Sequence, residues 1–236
     1  MLDSMQLTGR VASHVVEVGD LCAGATEQRV RLHADAAAAL IAMAAAARED
    51  GIELAVVSSF RDFERQLAIW NGKFRGERPL FDRGGGALDR TQLSDESAVV
   101  EAILLWSALP GASRHHWGTD LDVFDAAAGP AGYRPQLLPE EFGVRGVFAK
   151  LDAWLGANMR RFGFFRPYSR DLGGVLPEPW HLSYAPLAVP ALETLTVEVL
   201  REAVAQSELC AKELVLERLP AIHERYVKAV DAPPEG

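Results

Sequence analysis

The sequence predicts an α+β fold: a small, mostly antiparallel sheet covered by helices, with extra helices at the N- and C-termini. Three observations predict it. Strong helix-forming runs stand toward both ends, the strand-like runs between them are short, and no internal repeat is visible. Residues 1–236 read as a single domain.

Residues 27–49 are built from strong helix formers, and Gly51 supplies the stop, so one helix is expected there. IELAVVSSF, residues 52–60, runs β-branched and predicts a buried strand ending at Arg61. Helical spacing resumes in RDFERQLAIWNGKF, with Phe63, Leu67 and Trp70 on one face. From Gly72 to Glu96 the composition turns to glycine and charge, which predicts a long exposed flexible loop or lid. Its triple glycine lacks the strand before it and the Lys-Ser/Thr helix after it that a phosphate cradle needs.

SAVVEAILLWSAL predicts a further helix, ended by Pro110 and Gly111. VFAKLDAWLGANMRRFGF predicts an amphipathic helix, and PEPWHLSY a short strand entered through two prolines. Residues 187–230 predict one or two C-terminal helices, broken at Pro190 and Pro220.

Composition removes several function classes. A formal net charge of −9 and a pI near 5.2 argue against a nucleic-acid binder, which needs a basic face. The longest apolar run, Ala36–Ala47, has twelve residues, short of the roughly 20 that span a bilayer, so no membrane segment is expected. Cys22 and Cys210 are too far apart in sequence to suggest a metal pair and read as plain thiols. No signal peptide is readable at the N-terminus, so a cytoplasmic location is expected, or a periplasmic one if a leader has been removed.

The chemistry concentrates in ASRHHWGTDLDVFD, residues 112–125, with two histidines and three aspartates. A catalytic zinc site takes three nitrogen or oxygen ligands and keeps one position open. If DLDVFD is a strand, Asp120 and Asp122 share a face with Phe124, so spacing leaves both as candidate ligands. Gly118 permits a tight bend that folds an earlier histidine back toward them, and His115 and His116 both qualify. Downstream, EPWHLSY carries Glu178 three positions before His181, and Pro179 keeps that pair out of a regular helix. A strand-borne His181 completes a metal set, with Glu178 at the strand's mouth to take a proton from activated water.

On these residues the chain resembles the VanY-type zinc D-Ala-D-Ala carboxypeptidases, relatives of the D,D-dipeptidases and L,D-carboxypeptidases of cell-wall peptides. The Ser-x-His-x-x-Gly-x-Ala-x-Asp motif matches Ser113, His115, Gly118 and Asp122, and Glu-x-Trp-His matches Glu178, Trp180 and His181. Ser-x-Phe/Tyr-Arg followed by Gln matches Ser58, Phe60, Arg61 and Gln66. The resemblance covers about residues 50–186, leaving a C-terminal helical extension over about 187–230. One residue departs from the pattern: Asp120 stands where the family has a small alanine.

The resemblance implies one zinc ion per chain held by His115, Asp122 and His181, with His116 a neighbour and Glu178 the general base. Arg61 is implied to stabilise the oxyanion or to hold a substrate carboxylate. Ser113 and Gln66 are expected to donate hydrogen bonds to the substrate, and Trp117, Trp180 and Tyr184 to wall the pocket. His14, His33 and His223 fall outside every motif.

The implied substrate is a peptidoglycan stem peptide ending in D-Ala. For a cytoplasmic enzyme, an L,D-carboxypeptidase acting on recycled tetrapeptides comes first. A D,D-carboxypeptidase acting on pentapeptides, or a non-hydrolytic binding module for cell-wall peptides, are the alternatives. The oligomeric state is not readable.

Overall fold

The computed structural model describes residues 1–19, 29–130 and 132–234. Cys22 lies outside them. The short helix α1 (Ser4–Leu7) leads into an antiparallel ribbon of β1 (Val15–Val18) and β2 (Val30–His33), which runs straight into α2 (Ala34–Glu49). The helix expected over 27–49 therefore begins only at Ala34; positions 27 and 28 lie outside the described residues. Val30 and Leu32 are buried and alternate with half-buried Arg31 and His33, so pairing with β1 overrides local helical preference.

Strand β3 (Leu54–Ser58) is followed by α3 (Phe63–Arg75). Asp62 caps α3 by accepting from the Arg65 N–H, and Gly76, at φ 79°, closes it. Phe63, Leu67 and Trp70 bury one face of α3, as their spacing predicts. The segment expected to be an irregular loop from Gly72 contains the end of α3 and a hairpin, β4 (Leu80–Phe81) with β5 (Ala87–Leu88). Its triple glycine is the hairpin tip, where Asp82 Oδ1 accepts the N–H groups of Gly84 and Gly86, each at 2.8 Å.

Next come α4 (Glu96–Leu104), β6 (Asp120–Asp125), α5 (Pro139–Phe142), α6 (Ala149–Asn158), β7 (Phe164–Phe165) and β8 (His181–Tyr184). The main sheet has the order β3-β6-β8-β7, antiparallel throughout. Leu121, Val123 and Leu182 of its central strands pack with Leu40 and Met43 of α2 and Leu151 and Leu155 of α6. A second apolar cluster joins α3 and α4 to the C-terminal helices through Trp70, Ile103, Leu104, Leu200, Val204 and Leu219. No helix among the described residues is long and apolar enough to cross a membrane.

The C-terminal region forms three α-helices, α7 (Ala185–Thr194), α8 (Val197–Ala205) and α9 (Lys212–Ile222), the last running on into a π-helical turn, His223–Lys228. Pro190 and Pro220, expected to break them, lie inside α7 and α9. Pro220 has no N–H for the carbonyl of Leu216, and Arg201 Nη1 donates to that oxygen instead, at 3.2 Å. The breaks fall at Leu195, after which Thr196 caps α8, and between Gln206 and Ala211.

These helices are tied to α4 through Glu101, whose carboxylate accepts from Arg218, Arg225 and Tyr226. Burial alone raises the Glu101 pKa, but the bonds from Tyr226 and Arg218 outweigh it and hold it below the ordinary value. A carboxylate lowered on folding contributes stability above its unfolded pKa, near 4.5, and loses it as pH falls through the folded value. Glu101→Gln is expected to lower the melting temperature near neutral pH and to flatten the wild-type fall in stability below pH of about 4.5, measured by thermal melts across that range. An unchanged acid slope would remove this clamp from the account.

Candidate metal centre and cleft

Strand register assembles the cluster. Asp122 of β6 pairs with His181 of β8 on one side and, past a bulge after Val56, with Ser58 of β3 on the other. His115 arrives from a 3-10 turn, Arg114–Trp117, that ends at Gly118 in the left-handed region, φ 67°. A side chain at Gly118 would meet Val15 Cγ1 at 2.5 Å and His33 N at 2.9 Å, so the β1–β2 ribbon presses directly on this bend. Asp122 Oδ2 lies 3.5 Å from His115 Nε2, and Asp122 Oδ1 lies 3.2 Å from His181 Nδ1. One donor atom from each of the three residues falls within 4.8 Å of the others, and all three residues are buried.

The outer nitrogens are already committed. His181 Nε2 faces Asp120 Oδ1 at 2.9 Å, and a carboxylate only accepts, so this nitrogen carries the proton and Nδ1 turns toward Asp122. His115 Nδ1 faces the Ser59 carbonyl at 2.9 Å, which by the same logic leaves Nε2 with its lone pair inward. Asp122 Oδ1 is a buried acceptor with no hydrogen bond. Glu178 stands on the open side, its Oε2 3.3 Å from His181 Nδ1, on the turn before β8.

Three carboxylates, those of Asp120, Asp122 and Glu178, stand around the His181 ring. Burial alone lowers the His181 pKa, but the nearby carboxylates of Asp120, Asp122 and Glu178 outweigh it and raise it well above the ordinary value. His115 is instead held well below its ordinary value by burial, with Arg61 and His181 adding to the effect. Burial raises Glu178. Two inward imidazole nitrogens and a carboxylate with an orphaned oxygen fit a divalent metal with an open position.

Beneath the cluster, Asp120 also accepts from Arg114 Nε at 2.8 Å, from Thr119 Oγ1 at 2.6 Å and from Ser183 Oγ at 3.1 Å. Burial works against its charge, yet Arg114 and His181 bring its pKa down to about 2. His116 does not face the cluster. Its Nδ1 donates to the Arg61 carbonyl at 2.6 Å, its Nε2 accepts from Gly111 N at 3.1 Å, and burial pushes its pKa down to about 4.

A cleft of about 340 Å³ opens over the cluster, lined by Arg61, Ser113, His115, Asp122, Glu178, Trp180 and His181 among the residues singled out in the sequence. Three expected pocket residues are not there. Gln66 is fully buried, accepting from Arg61 Nη1 at 2.9 Å and donating to the Ala108 carbonyl at 2.8 Å, so its contact is with Arg61 rather than with a substrate. Trp117 is fully buried in the helical core and donates to the Leu7 carbonyl. Tyr184 packs at a tilt against Phe164, beside Gly163.

The cleft also has walls the sequence reading missed. Tyr168 sets its ring edge on His181, centroids 5.1 Å apart, and burial pushes its pKa up to about 12. No local sequence signal marks it. Arg65, Ile69 and Lys73 line another wall from α3, and their four-residue spacing was a readable sign of a shared face. Gln136, Leu137 and Leu138 also line the cleft, on a loop drawn in by Glu141, which accepts from Tyr133 Oη and from the N–H groups of Gln136 and Leu138.

A family profile described as VanY, D-alanyl-D-alanine carboxypeptidase, matches residues 29–187. The chain belongs to this family. The VanY match takes in every residue of the cluster and all four strands of the main sheet. Among curated relatives, an uncharacterised protein of Haemophilus influenzae is 35% identical over 121 residues, 50% of this chain and 92% of that protein. A D-alanyl-D-alanine carboxypeptidase of Enterococcus faecalis is 28% identical over 142 residues, 59% of this chain and 42% of that protein. Among solved structures, the LdcB LD-carboxypeptidase superposes with a TM-score of 0.52 at 26% identity, covering 81% of this chain and 78% of that one.

Proposed function

We propose that this VanY-family protein is a zinc-dependent carboxypeptidase that removes the C-terminal D-Ala from peptidoglycan stem tetrapeptides, an L,D-carboxypeptidase working as one catalytic domain. The observation that carries the reading is the cluster of His115, Asp122 and His181, with the outer nitrogens of both histidines held, beside a half-buried carboxylate that takes no part in the set. Likeness to the LdcB LD-carboxypeptidase supports the L,D choice over the D,D one. The D,D reading is the second, supported by the Enterococcus relative and by the description of the family. Enzymes that trim recycled tetrapeptides meet them in the cytoplasm, the compartment we assign.

Zinc at this cluster would supply Lewis acidity, polarising the scissile carbonyl and acidifying water at neutral pH. The remaining work falls to the chain. Glu178 takes the proton of the attacking water and delivers it to the leaving amine, and burial makes it a stronger base than an exposed glutamate. Arg61, with its buried Nε unpartnered and its Nη1 held by Gln66, is oriented for the substrate's terminal carboxylate. His116 fixes the Arg61 backbone from below. Ser113 Oγ, unused as a helix cap, adds a donor to that carboxylate, and Tyr168, a phenol that keeps its proton, donates to the peptide. Trp180 closes the wall.

The test is to incubate the metal-loaded protein with muramyl tetrapeptide and pentapeptide and follow D-Ala release by mass spectrometry. Release from the tetrapeptide is expected. Release from the pentapeptide alone would replace the L,D reading with the D,D one, and silence on both would favour a binding role.

A further inference from the structure

Four basic side chains, Arg61, Arg65, Lys73 and Arg114, line the cleft against the acidic Asp122 and Glu178, in a chain whose formal net charge is −9. Arg114 is spent on Asp120 and Ser183, and Arg61 lies 3.9 Å from Asp122. Lys73 differs. It is half-buried, one of its three donors goes to Ser107 Oγ at 2.6 Å, and among the described residues no carboxylate lies within ion-pairing distance. Burial pushes its pKa down to about 8, Glu178 across the cleft opposes this, and Arg61 and Arg78 add to it.

Arg65, Ile69 and Lys73 stand four residues apart on one broad face of α3, a stripe about 12 Å long. It leads along the cleft from Arg61. A carboxypeptidase releases one amino acid with one terminal carboxylate, and Arg61 serves that group. A cation farther along, without a counter-ion, faces the part of the peptide that stays on the acyl side. A lone desolvated ammonium is costly unless an anion joins it.

We propose that Lys73, with Arg65 beside it, binds a second carboxylate on the acyl side of the scissile bond, so that the protein selects peptides with a free acid there over their amidated forms. This subsite deepens the carboxypeptidase reading and rests on it.

The probes are L-Ala-γ-D-Glu-L-Lys-D-Ala and the same peptide with the α-carboxylate of its D-Glu amidated. With the metal-loaded protein, KM for D-Ala release is expected to be about tenfold lower for the acid than for the amide. Lys73→Gln raises KM for the acid peptide to that of the amide, Lys73→Arg restores the difference, and Arg65→Gln, a second variant on the same face, shrinks it. Equal KM values in the wild type, or a difference that survives in Lys73→Gln, would overturn the subsite. If neither peptide is cleaved, the carboxypeptidase reading fails on its own account. Calorimetry then decides the subsite: an amide bound about tenfold more weakly than the acid supports it, and equal affinities reject it.

Discussion

Glu178→Gln is expected to reduce D-Ala release by about 10²–10⁴-fold while leaving metal content and melting temperature close to wild type. Glutamine keeps the size of the side chain and can still hydrogen-bond near His181, 3.3 Å away, but it carries no proton between water and the leaving amine. The side chain lines the cleft beside His181 without being one of the three clustered donors, so its chemistry is separable from metal retention. The check is turnover on the tetrapeptide together with metal analysis of the same sample. A variant that keeps its metal and retains more than a tenth of the activity would remove Glu178 from proton transfer.

Asp120→Ala is expected to weaken metal binding by about 10- to 100-fold, read by competition with a coloured chelator. Its carboxylate fixes which nitrogen of His181 carries the proton, and so which lone pair points inward. The same change leaves the Arg114 guanidinium buried without its carboxylate, a loss of about 3–5 kcal/mol in unfolding free energy. Asp120→Asn separates the two effects: its amide oxygen can still accept from His181, so metal affinity recovers in part while the charge pair with Arg114 stays broken. Wild-type metal affinity in the alanine variant would mean that His181 is oriented by β8 alone.

Much of this site was legible because its donors sit in short motifs whose spacing reflects local geometry. Alternation along DLDVFD put Asp120 and Asp122 on one face, and both do contact His181. Gly118 announced the bend that brings His115 back. What stayed hidden depends on partners remote in sequence. β2 is a strand because β1 pairs with it, and nothing within residues 27–49 says so. Pro220 sits inside α9 because Arg201, on another helix, serves the carbonyl it leaves unbonded. Trp117 lies two residues from His115 on a 3-10 turn, and at about 120° per residue that spacing points it away from the cleft into the core. Gln66 belongs to a motif, but its amide reaches Arg61 and a loop carbonyl at Ala108, a contact no spacing rule contains.

The pairing of Asp122 with His181 across β6 and β8 gives the cluster a property unrelated to catalysis. Side chains alternate along a strand, so a slip of one residue between these two strands would turn Leu182 or Trp180 toward Asp122 and send His181 to the opposite face. A sheet slipped by one residue cannot assemble the three donors. With zinc as the proposed occupant, metal uptake would act as a proofreading step for strand alignment: in a refolding mixture, chains whose central strands had slipped by one residue would be left without an ion.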